Sequence, residues 1–439
     1  MHPLAQELND TIRERSTRVH EMLSELGREL YFPKGILAQT AEANAKAHRF
    51  NATIGIATES GHAMFLPSVM AHFRDVPGDE LFPYAPATGK AELRKAWGDS
   101  LTVKNPSLES KSFSLPIVTS GVTHGLSLVA DLFIDPGDAV LLPRPNWGNY
   151  NLIFGTRYRA QVATYPLFGS GPGFDVDAFR KTVEASARRG RLVVVLNFPN
   201  NPTGYSVTAE EGEGMVTSLV HAAERGSNIV AVCDDAYFGL FHEEGLLTES
   251  LFAYLAQSHP GLLAVKADGC TKEDFVWGFR VGFLTFSTQA GGGESEIYSA
   301  LEKKVAGAIR SYISNCAHPS QSILLRAMQD AQYDRQKRES RDAVKARALK
   351  VKQVLADPAF RDVWEPYPFN SGYFMCLRLK ELDAEDYRSF LLESRGVGVI
   401  ASGPSDIRVA FSSVDEEDIP ALLRIMAEAA RDLRERKMT

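Results

Sequence analysis

Leu192-Val193-Val194-Val195-Leu196-Asn197-Phe198-Pro199-Asn200-Asn201-Pro202-Thr203-Gly204 begins as an unbroken aliphatic run and ends on Asn, Pro and Gly. The run is short and β-branched, which predicts a strand, and the residues after it carry turn chemistry. A strand that is apolar on both faces belongs in a covered parallel sheet. Outward from it, Ser114 to Thr119, Ala139 to Leu142, Gln161 to Tyr165 and Ile229 to Cys233 read as further strands, separated by helical segments over about 90–270. Strand and helix alternating in this way predict an α/β domain. The run Ile229 to Cys233 leads straight into Asp234-Asp235-Ala236-Tyr237, placing a carboxylate and a phenol at the carboxyl end of a strand, where open α/β sheets bind their ligands.

The flanks read differently. Leu4, Leu8, Ile12, Val19, Met22 and Leu23 recur at helical spacing and predict one amphipathic helix over about 3–30. Beyond about 294 come helices over Glu294 to Arg310 and Gln321 to about Ala356, short strands near Gly372 to Leu379, Gly398 to Ile400 and Ile407 to Phe411, and a closing helix from Glu416 to Lys437. This reads as a smaller α+β domain. The expected division is 1–60 as an N-terminal helix with part of the small domain, 61–320 as the large domain, and 321–439 as the rest of the small one. Gly169 to Phe174 and Gly291-Gly292-Gly293 read as loops.

Composition narrows the function. The chain has 439 residues, a formal charge of −7 and 44% hydrophobic residues, so it carries enough apolar material for a large core and no basic excess for gripping nucleic acid. Cys233, Cys270, Cys316 and Cys376 are widely spaced, with no metal-ligand pattern, and read as reduced thiols of a cytoplasmic protein. No metal is expected. The N-terminus is charged throughout and no apolar run approaches a membrane span, so neither export nor membrane insertion is expected.

Further along, Asp268-Gly269-Cys270-Thr271-Lys272 precedes Gly278-Phe279-Arg280-Val281-Gly282. With Asn201, Asp234 and Tyr237, these residues supply an amine for a Schiff base, a carboxylate, phenol and amide for a ring, and an arginine for a phosphate. That set suits pyridoxal 5'-phosphate.

Those motifs, in that order from about Asn51 to Ser413, resemble the class I/II aminotransferases, pyridoxal-phosphate enzymes of fold type I in which a large, mostly parallel sheet sandwiched by helices is joined to a smaller α+β domain. The aspartate/aromatic branch is the nearest in motif. The resemblance implies that Lys272 carries the cofactor as a Schiff base and moves the proton during catalysis, that Asp234 pairs with the ring nitrogen, and that Tyr237 and Asn201 bond the cofactor's phenolic oxygen. Asp235 is expected to be structural. Ser120, Gly121 and Val122, where the strand ending at Thr119 turns into a helix, would hold the phosphate with Thr271 and Arg280. Trp147 corresponds to the residue stacked on the ring and Arg408 to the fork that grips the substrate α-carboxylate, while Gly55 falls in a segment that closes over substrate. Tyr84, in Tyr84-Ala85-Pro86-Ala87-Thr88-Gly89, resembles a tyrosine that reaches the phosphate in the other subunit, which implies a homodimer with shared sites.

Two positions depart from the pattern. Gly269 stands where many relatives have a phosphate-binding serine, and Glu296, with Glu294 nearby, falls where aspartate-specific members have an arginine for the distal carboxylate. The expected activity is therefore ping-pong transfer of an amino group between an α-amino acid and a 2-oxo acid, with neutral or aromatic amino acids favoured over strict dicarboxylate specificity. A β-lyase or other elimination enzyme of the same fold is the alternative within the chemistry. A pyridoxal-phosphate-binding regulator is the alternative outside it, and the first fifty residues are too few for a DNA-binding domain plus linker.

Overall fold

The computed structural model describes residues 1–438 apart from residues 34, 172, 188 and 189. The quoted aliphatic run forms the strand Arg191–Asn197, buried from Leu192 onward near the middle of a seven-stranded sheet. Across that sheet the order is Ile117–Thr119, Gly282–Ser287, Leu262–Gly269, Asn228–Asp234, Arg191–Asn197, Ala139–Arg144 and Gln161–Pro166. Gly282–Ser287 runs antiparallel to both its neighbours, and the other pairings are parallel. The sheet is thus mixed and mostly parallel, and helices Val122–Phe133, Val176–Ala187 and Ala209–Glu224 pack on it. Thr208 and Glu211 cap the last of these reciprocally, side chain to backbone in both directions.

Two strands of this sheet, Leu262–Gly269 and Gly282–Ser287, escape the sequence reading. The first carries Lys266 and Asp268 in its interior, which breaks the apolar pattern. Both side chains are buried because Lys266 pairs with Asp235 and lies 3.6 Å from Asp268, whose carboxylate also accepts from Trp97 Nε1 at 3.1 Å. Trp97 in turn stacks on Phe283 with ring centroids 4.3 Å apart. Asp235 therefore has the structural place expected of it.

A second, four-stranded antiparallel sheet orders Trp364–Pro366, Phe374–Leu379, Asp406–Ala410 and Ile400–Ala401. The N-terminal region joins this part of the chain: Phe50–Asn51 pairs in parallel with Val397–Gly398, and Ala410 N donates to Ala52 O at 2.8 Å.

Two long helices predicted from periodicity are broken. The N-terminal segment forms Pro3–Arg15, Thr17–Met22 and Glu25–Glu29, because Ser16 and Ser24 take extended backbone and cap the helices that follow. The segment expected over 321–356 splits into His318–Met328 and Tyr333–Leu355, with a turn between them in which Asp330 accepts from Gln332 N. At Gly291 and Gly292 the backbone has positive φ, as a loop before the helix Glu294–Tyr312 requires. The expected loop at 169–174 includes Pro172, which lies outside the described residues.

Candidate active site

The strand ends deliver the site. Asn228–Asp234 finishes on Asp234, which is buried and accepts from the Tyr150 hydroxyl at 2.5 Å and from Ala236 N at 3.2 Å. Burial raises its pKa to about 6, opposed by the Tyr150 bond and by the charge of Lys272. The neighbouring strand finishes on Asn197, whose amide donates to Asp234 O at 3.0 Å and accepts from Asn201 N at 3.0 Å. The turn after the apolar run is thereby tied to the strand that carries Asp234.

Lys272 lies in the short helix Cys270–Glu273 that follows the next strand. Its Nζ is 4.8 Å from the centre of the Tyr237 ring, and its carbonyl accepts from the Tyr373 hydroxyl at 3.0 Å. Burial lowers its ammonium to about 8, against the pull of Asp234 and with help from the nearby Arg280 charge. Tyr237 is buried, and burial holds its phenol above the ordinary range, so it stays neutral and able to donate. Gly55 sits beside it: a side chain there would begin 3.3 Å from Phe374 and 3.9 Å from the Tyr237 oxygen.

Arg408 is only 2% exposed. One arm donates to Asn201 Oδ1 at 3.2 Å, the other to Thr53 O at 2.8 Å, and the guanidinium lies 4.2 Å over the Phe374 ring. Burial lowers it to about 10, still cationic at neutral pH, and its Nε has no partner among the described residues. A buried cation without a carboxylate is costly unless a ligand supplies one.

The turn at Gly121 is equally defined. Gly121 has φ +77° and precedes the helix Val122–Phe133, whose N-terminus no side chain caps. A Cβ on Gly121 would meet Arg280 Nη2 at 2.4 Å, so glycine is what lets the guanidinium lie against the turn. Gly282 is closed in by the same turn, with Val122 N 2.9 Å from an added Cβ. Gly269 in its turn faces Gly282: a Cβ there would lie 2.7 Å from Val281 O and 2.8 Å from Gly282 Cα. Backbone, not room for a side chain, occupies the place of the missing serine. The uncapped helix N–H groups and the Arg280 guanidinium against them make a donor set suited to a phosphate dianion, and Thr271 is buried in the short helix that follows Gly269. With Asp234 for a ring nitrogen and an amine near neutrality at Lys272, the residues present fit pyridoxal phosphate.

Trp147, Asn201, Arg280 and Arg408 line one cleft of about 1380 Å³. Ser120 stands just before the Gly121 turn, where its backbone N donates to His124 Nδ1 at 3.0 Å. Tyr84 is not brought in: it is 89% exposed. Tyr150, Asn197 and Tyr373 escape the sequence reading. Tyr150 follows Trp147 by one helical turn, but its partner is 84 residues away, and nothing local announces it.

Comparisons with known proteins agree on one kind of relative. A family model described as aminotransferase class I and II matches residues 53–426. The crystal structure of an aminotransferase from Anaerococcus prevotii superposes with a TM-score of 0.83 at 25% identity, over 93% of this chain and 99% of that one. A probable aspartate/prephenate aminotransferase of Aquifex aeolicus is 24% identical over 78% of this chain and 82% of its own. A probable N-acetyl-LL-diaminopimelate aminotransferase of Bacillus subtilis is 25% identical over 46% of this chain, which spans about half of that relative, 47%.

Proposed function

Since the chain belongs to the class I and II aminotransferases, enzymes whose cofactor is pyridoxal 5'-phosphate, we propose that it passes an amino group from an α-amino acid to a 2-oxo acid in a ping-pong cycle. The observation that carries this reading is that a half-buried lysine near neutrality and a buried, under-partnered arginine fork meet at one tyrosine: Lys272 Nζ lies 4.8 Å from the centre of the Tyr237 ring, and the Arg408 charge acts on the same phenol. The first anchors the cofactor and the second takes the carboxylate that every α-amino acid has.

Bound there, pyridoxal phosphate supplies an aldehyde that accepts the amino group and a ring that takes up the electron pair left at the α-carbon. The chain's own residues do the rest. Arg408 holds the α-carboxylate by two parallel hydrogen bonds, fixing which α-carbon bond can break. With its amine free, Lys272 would take the proton from the substrate α-carbon and deliver it to the carbon that bore the cofactor's aldehyde. Asp234, as carboxylate, would keep the ring nitrogen protonated, and Tyr150 and Asn197 hold Asp234 in place. Tyr237 and Asn201 would donate to the phenolic oxygen, and Trp147 would cover the ring. Gly121, Val122, Ser120, Thr271 and Arg280 would hold the phosphate.

Neutral or aromatic amino acids are the favoured donors over short dicarboxylates. Trp147, Phe168, Tyr367, Tyr31 and Phe32 line the cleft, and Glu294 is turned back to the loop before its helix, accepting from Ala290 N at 2.8 Å and Gly292 N at 3.0 Å. The exposed Tyr84 supports a homodimer in which each subunit completes the other's site.

Titration of the visible absorption of the loaded enzyme with single amino acids tests the reading. The aldehyde band should give way to the amine form with each accepted donor and return when a 2-oxo acid is added. Lys272→Ala should abolish this cycle. Ammonia and 2-oxo acid accumulating while the band persists would mean elimination instead.

A further inference from the structure

The cleft holds more positive charge than the proposed chemistry uses. Its described lining carries Arg144, Arg280, Arg378 and Arg408 against a single carboxylate, Asp406. Arg280 is assigned to the phosphate and Arg408 to the α-carboxylate. Arg378 is already engaged: it donates to the Tyr367 hydroxyl at 2.6 Å, lies over that ring at 4.7 Å and sits 3.9 Å from Asp406. Arg144 is the surplus, and its guanidinium makes no hydrogen bond or ion pair with any described residue.

Its position is set by the sheet. Arg144 ends the strand Ala139–Arg144, two strands across from the one ending in Asp234. At about 4.8 Å per strand, that puts its Cα roughly 10 Å along the row of strand ends from the ring-nitrogen partner. Its register partner is Pro166, and Leu167 N donates to its carbonyl, so the backbone that presents the guanidinium is fixed at the edge of the cleft. Asn149 and Asn151 also line the cleft, and their amides are likewise without a hydrogen bond to a described residue. Arg144 and Asn151 are exposed and Asn149 is half-buried, so these donors face the water of the cleft, and a cation beside such amides offers an entering carboxylate a charge-assisted contact.

We propose that Arg144 is a specificity-determining residue, binding a second, distal anionic group on a substrate longer than aspartate. The inference rests on the transamination reading and deepens it: one half-reaction takes a neutral or aromatic substrate against the ring-lined walls, and the other takes an extended diacid held at Arg408 by one end and at Arg144 by the other.

Straight-chain diacids from succinate to pimelate, each paired with the monoacid of equal length, provide the test when titrated calorimetrically into the pyridoxal-phosphate enzyme and its Arg144→Gln variant. Because Arg144 has no partner to lose, the variant should melt with the wild type. Affinity should rise with diacid length beyond succinate, and R144Q should lower it ten- to a hundred-fold for the longer diacids while leaving the monoacids unchanged. Tightest binding of succinate, or equal losses for diacids and monoacids, would overturn the proposal. The same enzyme exposed to amino acids separates the two readings. Conversion of the cofactor band without any diacid length preference removes Arg144 and keeps transamination. A length preference that R144Q erases, with no amino acid converting the band, keeps the subsite and removes transamination.

Discussion

At Asp234 function and stability oppose each other. A carboxyl whose folded pKa is raised to about 6 binds its proton more tightly folded than unfolded, where about 3.9 is usual. Its contribution to stability is fully present below pH about 4 and is lost as pH rises through 6. Asp234→Asn, which keeps an acceptor for Tyr150, should therefore stabilise the cofactor-free protein at pH 8 by on the order of 1–3 kcal/mol, with the gain vanishing toward pH 4. Melting temperatures at the two ends of that range check this, and the same variant should lose most of its turnover because the ring is left without its counter-charge. Lys272 gives the complementary pH dependence. Its amine must be neutral to capture the cofactor aldehyde, so the rate of capture, followed by absorbance, should climb about tenfold per pH unit and flatten above about 8. A rate still climbing at pH 10 would mean that burial does not depress this lysine. The identities of such residues are legible from sequence because their motifs are local. Tyr150 is not, since a phenol near a tryptophan says nothing of a carboxylate 84 residues on.

Among elements, the short helix Cys270–Glu273 shows how a buried charge cluster holds a reactive side chain still. Glu273, next to Lys272, is met by Lys104 at 2.6 Å, Lys337 at 3.0 Å and Arg341 at 3.4 Å, and Lys337 also bonds Asp274. Burial alone would raise the Glu273 carboxyl, yet these cations outweigh it and hold it well below the usual range. Its stabilisation is therefore complete above pH about 4.3 and drains only in strong acid. Glu273→Gln would strand cations from two other helices in a dry site and should cost about 3–5 kcal/mol, measurable by denaturant unfolding, whereas Glu273→Asp should recover part of it. This is also where the sequence ran out. Apolar runs predict Arg191–Asn197 and Asn228–Asp234 within a residue or so, because both faces of those strands are covered by apolar neighbours. Leu262–Gly269 hides its nature behind Lys266 and Asp268, whose burial depends on Asp235 in another strand. Helical periodicity likewise cannot see Ser16 and Ser24, which end one helix and start the next without disturbing the apolar spacing.

Over the whole molecule the open question is whether one chain makes a complete site. Lys272, Asp234, Arg280 and Arg408 converge within the chain, but Tyr84 projects into solvent at 89% exposure, close in sequence to the equally bare Phe82. A tyrosine matched to a phosphate-binding role and held away from its own phosphate turn is best used by a neighbour. If each site takes Lys272 from one subunit and Tyr84 from the other, two defective variants can repair one another. Lys272→Ala has no amine for the cofactor, and Tyr84→Ala should hold the cofactor weakly, with an apparent dissociation constant raised about tenfold by loss of a charge-assisted hydrogen bond. In a mixed dimer, the site with the intact lysine receives the intact tyrosine, while the other site collects both defects. Mixing the two proteins under conditions that allow subunit exchange, at cofactor concentrations that starve Tyr84→Ala, should raise activity above that of either alone, toward one good site per mixed dimer. Activity that merely averages the two preparations would place Tyr84 outside the site and make each chain sufficient by itself.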